Sequence, residues 1–215
     1  MYAHSILAVS LFAITFCAEI IDRVAVTIDN QVITASELAL EIRLTAFLNA
    51  ETPDFSSAAR RAAAGRLVEQ KLIRREMQVG RYAAPSPEEA EPLLQQVRHQ
   101  RFQNPEEYRP ALDHYGITEE ELKAHLLWQL TLLRFVDVRF RPAVQVTDAE
   151  IQAYFDANRA ALQPSSENTR VLTLDDLRSR IRDILTDQGA DKQLDEWLSQ
   201  ARKRARIEFH PEAFQ

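Results

Sequence analysis

The feature that most constrains this fold is a helix-start signature that recurs along the chain. A Ser, Thr or Asn is followed three residues later by a Glu, so that each side chain can accept a hydrogen bond from a free backbone N–H group of the first turn. The five signatures are Thr34 with Glu37, Ser86 with Glu89, Asn104 with Glu107, Thr118 with Glu121, and Thr147 with Glu150. Apolar residues at helical spacing follow them, so the sequence predicts a mainly α fold.

Helical periodicity places seven helices along the chain. They are predicted over 34–50, 56–80, 87–102, 105–115, 119–140, 148–160 and 174–204. The segment 119–140 carries leucines at helical spacing together with Trp128 and Phe135, and it is predicted to be the central helix of the fold.

Glycine and proline mark expected irregularities in these helices. Gly80 and Gly116 stand where helices are expected to stop. Pro92 and Pro110 fall inside two predicted helices, and each is expected to kink or shorten its helix because proline lacks an N–H donor. Gly189 either breaks the last helix or is carried within it at a cost of about 1 kcal/mol.

Two short segments with strand-like alternation flank the helices. Residues 24–28 (VAVTI) precede a turn, and Val32-Ile33 follows it as a strand stub. Near the other end, 206–209 (RIEF) alternates again. Neither segment can bury itself alone. We therefore predict a small β element in which 24–28 pairs with 206–209, so that the N- and C-terminal segments share one core.

Composition argues against several classes of protein. The 215 residues carry a net charge of −6, which disfavours a general nucleic-acid binder because phosphate contacts need a basic surface. Four glycines are too few for the special turns of a β-sandwich or a Gly-rich nucleotide fold. Cys17 is the only cysteine, so neither an internal disulfide nor a thiolate zinc site is expected.

Residues 1–18 have the character of a signal peptide. The run 5–18 (SILAVSLFAITFCA) is uncharged, too short to span a bilayer as a helix, and suited to the apolar region of a leader. Cleavage is expected after Cys17 or Ala18, with no stable membrane insertion once the leader is removed. A lipidated Cys17 and a buried N-terminal strand or helix are the alternatives.

Signatures of catalysis and cofactor binding are missing from the sequence. No two of the five histidines, His4, His99, His114, His125 and His210, have a metal-binding helical spacing, and all are expected to be structural or exposed. There is no phosphate-binding loop, dinucleotide fingerprint or nucleophile elbow. The acidic pairs fall in the first turns of helices, where they complement the helix dipole. No cofactor, metal site or catalytic residue is predicted.

One dense basic run, 202–206 (RKRAR), lies at the end of the last predicted helix. We interpret it as a solvated helix C-terminus, where positive charge is favourable. A contact for an acidic partner or a lipid headgroup is the alternative.

Four segments, taken in order, match those of one chaperone family. Val32-Ile33-Thr34 ends a predicted strand and Ser36-Glu37 opens a helix; 116–122 (GITEEEL), 146–155 (VTDAEIQAYF) and 197–207 follow. Together they resemble the SurA family of periplasmic chaperones. The resemblance runs through nearly all of the chain that follows the leader.

The resemblance implies a SurA N-terminal-like helical chaperone domain over 19–160, completed by the C-terminal helix and strand of 171–215. In SurA-like proteins a parvulin-type prolyl isomerase domain usually stands between these parts. Here a short connector, 161–170, takes its place, and the run 159–170 (RAALQPSSENTR) cannot hold a domain. No catalytic residue is carried over, and the protein is not expected to be an enzyme.

The resemblance and the leader together predict an ATP-independent periplasmic chaperone. Its partners would be unfolded outer-membrane or secreted proteins, held in an apolar groove, and its oligomeric state stays open. The residues predicted to contact these clients are Phe102, Tyr108, Tyr115, Trp128 and Phe135. The alternatives are a prolyl isomerase, which would accelerate proline isomerisation in a peptide, and a non-catalytic scaffold subunit of an envelope complex, which would hold one stoichiometric partner.

Overall fold

The computed structural model describes residues 22–162 and 172–215. The predicted leader, 1–18, and most of the predicted connector, 161–170, lie outside these residues. The strands are β1 (Val24–Ile28), β2 (Gln31–Thr34) and β3 (Ile207–Phe209). The helices are α1 (Ala35–Asn49), α2 (Ser57–Gly80), α3 (Ala90–Arg101), α4 (Tyr108–Tyr115), α5 (Glu119–Arg139), α6 (Asp148–Leu162) and α7 (Leu174–Arg204). The predicted fold class, mainly α with a small β element, is confirmed.

The small sheet joins the two ends of the described chain. Its order is β2-β1-β3 with both pairings antiparallel, and Val26 of β1 lies opposite Phe209 of β3. The hairpin turn is held to β3 by Asp29, whose N–H donates to the Arg206 carbonyl and whose carboxylate accepts from the Arg206 N–H, both at 2.9 Å. The predicted pairing of 24–28 with 206–209 is therefore confirmed.

Predicted caps begin three of the helices. The Glu37 N–H donates to the Thr34 hydroxyl at 3.2 Å while the Thr34 N–H donates to the Glu37 carboxylate at 2.8 Å, and the pairs Thr118 with Glu121 and Thr147 with Glu150 repeat this geometry. At the fourth signature the Ser86 N–H donates to Glu89 at 2.8 Å. Asn104 also caps its turn, with its side chain accepting from the Glu106 N–H at 3.0 Å and its carbonyl accepting from the Glu107 N–H at 3.1 Å.

The two predicted helices that contain proline start later than expected. Short 3₁₀ turns, Pro87–Glu89 and Pro105–Glu107, occupy their first residues, and α3 and α4 follow. Pro92 and Pro110 are each the third residue of an α-helix. A backbone N–H at that position has no partner within the helix, so the prolines shorten these helices and remove no helical hydrogen bond.

Two glycines are explained by close packing. Gly189 lies inside α7, which continues through it. Only glycine fits at this position without a shift, because a Cβ there would meet Cγ1 of Val144 at 2.6 Å. Gly80 is the last residue of α2, and the left-handed cap is Arg81, with φ of 54°. A Cβ on Gly80 would meet the ring of Tyr82 at 2.3 Å, so glycine lets this ring fold back onto the helix end.

Apolar side chains form four clusters around the helices. The sheet packs on α1 and α2, with Phe214 from the C-terminal 3₁₀ turn sealing this cluster. A second cluster joins α1, α3, α4 and α5, and a third joins α2, α5 and α7. The fourth is formed by α6 and the first half of α7. Because α1, α2, α5 and α7 meet between the first three clusters, their facing sides enclose the cleft described next.

Candidate functional site

A cleft of about 430 Å³ lies between α1, α2, α5 and α7 and is here called the central cleft. Each helix contributes residues spaced so that they share one helical face. These are Glu41, Thr45, Leu48 and Asn49 of α1; Arg66, Glu69, Gln70 and Ile73 of α2; His125, Trp128, Gln129 and Leu132 of α5; and Leu194, Asp195 and Leu198 of α7. The cleft is therefore a product of helix packing.

The central cleft is lined by apolar side chains, by side-chain amides and by charged or titratable groups. The apolar lining is Leu48, Ile73, Trp128, Leu132, Leu194 and Leu198. Asn49, Gln70 and Gln129 provide the amides. An amide side chain both donates and accepts hydrogen bonds, which matches the N–H and C=O groups of a peptide backbone.

Three charged or titratable side chains meet at the boundary of the cleft. Nε of Arg66 donates to Oε1 of Glu41 at 2.7 Å, and Nδ1 of His125 lies 3.7 Å from Oε2 of the same carboxylate. Glu41 is only 9% exposed, which is unusual for a carboxylate. Glu41 and His125 also line a smaller recess on the other side, between α1, α2 and α5. The cluster thus forms a polar partition between two recesses.

Burial lowers the pKa of His125. Desolvation lowers the pKa of His125, the Glu41 carboxylate acts in the opposite direction, and the Arg66 guanidinium lowers it further. Since the net shift is downward, the imidazole is neutral over a wider pH range than an exposed histidine.

Part of the basic run 202–206 lies beside the central cleft. The Arg202 guanidinium donates to the Glu69 carboxylate at 2.6 Å and to the Gly65 carbonyl at 3.3 Å. These contacts tie the end of α7 to α2. Arg202 itself is exposed, and it stands with Lys203 and Arg204 in the last turn of α7, which agrees with the interpretation of the run as a solvated helix C-terminus.

Three of the five residues predicted to contact clients lie together, away from the central cleft. Phe102, Tyr108 and Tyr115 belong to the cluster of α1, α3, α4 and α5, where Phe47 packs against Phe102 and Tyr115 with ring centroids 6.3 and 5.4 Å apart. Tyr108 is buried, whereas Phe102 and Tyr115 are half-buried.

The other two predicted residues lie on α5 and differ in their access to solvent. Trp128 lines the central cleft, and Arg74 lies over its ring at 4.7 Å. Phe135 is 1% exposed and is enclosed by Tyr82, Phe140 and Trp197. Phe135 thus presents no surface to a partner in this structure, and the structure does not bring the five predicted residues into one site.

Most of the central cleft was missed by reasoning from aromatic residues. A usable signal lies in α1, where Glu41 occupies the same helical face as Leu38 and Ile42 and is therefore an acid on an apolar stripe. A buried carboxylate needs a partner, so this position could have drawn attention to Arg66 and His125. Which amides face the cleft depends on helix packing and has no local signal.

No group of three or more His, Cys, Asp and Glu side chains in the described part of the chain is placed to hold a metal ion. No helix there is long and apolar enough to cross a membrane.

Comparison of the sequence with protein-family models and with curated proteins found no match.

Proposed function

We propose that this protein is an ATP-independent chaperone that binds unfolded polypeptide segments in the central cleft. The observation that carries the proposal is the combination of apolar walls with side-chain amides in a cleft shared by four helices. The resemblance of the ordered sequence segments to SurA-like chaperones supports it.

The chemistry of the central cleft suits a chain without a fixed sequence. Leucine and tryptophan walls accept many apolar side chains, since hydrophobic contact is not directional. The amides of Asn49, Gln70 and Gln129 can pair with backbone groups, which every polypeptide offers. Binding of this kind is weak and reversible, so release needs no energy source.

The proposed location is the periplasm, and the proposed clients are outer-membrane or secreted proteins in their unfolded state. Two sequence observations support this: the leader-like residues 1–18 and the SurA-like order of segments. The net charge of −6 favours solubility of a chaperone that exposes apolar surface.

An aggregation assay tests the proposal. An unfolded porin is diluted from denaturant with the protein in molar excess, and light scattering is followed. We expect suppressed scattering from the native protein and from Leu133→Lys, because Leu133 is 64% exposed and does not line the cleft. Leu132→Lys, on the adjacent residue, should lose most of the protection, since Leu132 lines the cleft.

A second variant tests whether a loss of protection comes from a blocked cleft or from a damaged fold. Leu132 also packs against the cluster of α2, α5 and α7, whereas Gln129 is exposed and can be replaced by Trp to fill the cleft. Far-ultraviolet circular dichroism checks that each variant folds. Unchanged protection by a folded Gln129→Trp variant, or no protection by the native protein, contradicts the proposal. Capture of one stoichiometric partner instead of many unfolded chains would favour a scaffold subunit.

A further inference from the structure

A second cavity, of about 290 Å³, lies between the end of α3 and the start of α4 and shares no lining residue with the central cleft. We call it the α3–α4 pocket. Its volume is at the lower end of the range for ligand pockets, about 300–1,000 Å³, which limits the occupant to one ring with a short polar arm.

One side of the α3–α4 pocket is aromatic. The rings of Phe102 and Tyr108 meet edge to face with centroids 5.6 Å apart, and Pro105 lies beside them. The Arg98 guanidinium covers Tyr108, 4.2 Å from the ring centroid. Aromatic and guanidinium faces of this kind prefer a flat, electron-rich ring as a partner.

The polar side of the pocket carries two guanidinium groups, those of Arg98 and Arg109, with the His99 ring and one carboxylate, Glu106. Arg98 is already paired with Glu119 of α5. The side chains of Arg109 and His99 are exposed, and neither side chain has a hydrogen bond or ion pair with any of the residues that the structure describes. Arg109 therefore offers an unused fork of N–H donors in the lining of the pocket.

We propose that the α3–α4 pocket binds an aromatic carboxylate, with its ring against Phe102 and its carboxylate on Arg109. A guanidinium binds a carboxylate through two parallel hydrogen bonds. A single unpaired arginine with Glu106 nearby suits a singly charged carboxylate better than a doubly charged phosphate. The ligand is either a free aromatic acid or the aromatic C-terminal residue of a polypeptide, since both present the same chemistry.

A titration of the full chain with two matched probes tests this site. The probes are N-acetyl-L-phenylalanine and its uncharged amide, and the readout is the backbone amide shifts of residues 98–109 by nuclear magnetic resonance. We expect the acid to bind about three- to fivefold more tightly than the amide, the effect of an ion pair at an exposed position. Equal binding of the two probes, or no shifts within 98–109, overturns the proposal.

Two arginine substitutions that remove the same charge at different positions test whether Arg109 holds the carboxylate. Arg109→Gln should remove the preference for the acid, whereas Arg180→Gln, at an exposed position of α7, should preserve it. Both side chains are exposed, so thermal unfolding should be unchanged. A preference that survives Arg109→Gln overturns the proposal. A pentapeptide that ends in phenylalanine identifies the source: binding equal to that of the small acid indicates chain ends, and much weaker binding indicates a free acid.

This inference does not rest on the proposed chaperone function. The two cavities share no residues, so failure of the aggregation assay and failure of the titration are separate results.

Discussion

Nδ1 of His125 lies 3.7 Å from Oε2 of Glu41. Their cluster separates the central cleft from the smaller recess between α1, α2 and α5. The other carboxylate oxygen accepts from Arg66 at 2.7 Å. Glu41 therefore already has a cationic partner, and burial lowers the pKa of the neighbouring imidazole. Further charges line the smaller recess, namely Glu37, Arg74 and Glu121.

The lowered pKa of His125 predicts a pH dependence of stability. Between the folded-state pKa and the ordinary value of 6.5, the unfolded chain binds more protons than the folded chain. The free energy of unfolding should therefore fall as the pH drops below about 6.5, until folded His125 is itself protonated. Urea unfolding measured at several pH values between about 5 and 7 checks this.

A pair of histidine variants isolates this effect. His125→Gln should flatten the pH dependence, whereas His99→Gln, at an exposed position, should leave it unchanged. Carboxylates with a lowered pKa, such as Glu89 and Glu150, lose their contribution only as the pH falls below about 4.5, their ordinary value. An equal slope in the native protein and in His125→Gln contradicts the prediction.

The close approach of Val144 to Gly189 predicts an exception to helix propensity. Gly189→Ala alone should gain up to about 1 kcal/mol from propensity, but the new Cβ overlaps Cγ1 of Val144 and such overpacking costs about 1–3 kcal/mol. We expect net destabilisation in thermal unfolding. Val144→Ala should remove the clash, so the double variant should be more stable than the sum of the two changes predicts. If the stability changes of the two single variants simply add in the double variant, a Cβ at position 189 does not clash with Val144.

The sealing of the sheet by the C-terminal residues predicts unequal costs for two phenylalanines. Phe214 is 1% exposed against β1 and α2, so Phe214→Ala should cost about 3–5 kcal/mol. Phe209 is 44% exposed in β3, so Phe209→Ala should cost clearly less. Chemical unfolding of the two variants measures the difference, and equal costs would contradict the described packing of the C-terminus.

The capping box of α5 predicts a local contribution to stability. Thr118→Ala removes the acceptor for the Glu121 N–H and should cost about 1 kcal/mol of unfolding free energy. Thr118→Ser keeps the oxygen and should cost little. A Thr118→Ala variant as stable as the Ser variant would mean that the hydroxyl contributes nothing to this helix.

Local signals account for most of the fold. Caps and periodicity predicted the helices to within a few residues, and the alternating segments predicted the pairing of β1 with β3. Two features of the helices were not settled by local signals. The sequence alone left open whether Gly189 breaks α7, and the reason for a glycine there is the close approach of Val144, which lies far away in sequence. Because 3₁₀ turns precede α3 and α4, Pro92 and Pro110 fall in the first turns of these helices, where they cause no kink.

The candidate site was less predictable than the fold. An aromatic side chain on a helix suits a core and a binding groove equally well, and only packing decides: Phe135 is enclosed, whereas Trp128 borders the central cleft. Glu41 carries a local signal as an acid on an apolar stripe. Its partners come from α2 and α5, so their identity depends on tertiary structure.

The central claim is that unfolded polypeptide occupies the central cleft, and site-specific photocrosslinking tests it most directly. Benzoylphenylalanine is placed at Asn49, which is exposed at the end of α1 and lines the cleft, or at Val138, which is exposed on α5 outside it. After mixing with an unfolded porin, we predict strong crosslinks from position 49 and few from position 138. Equal crosslinking from both positions, or crosslinks from 138 alone, would contradict the account.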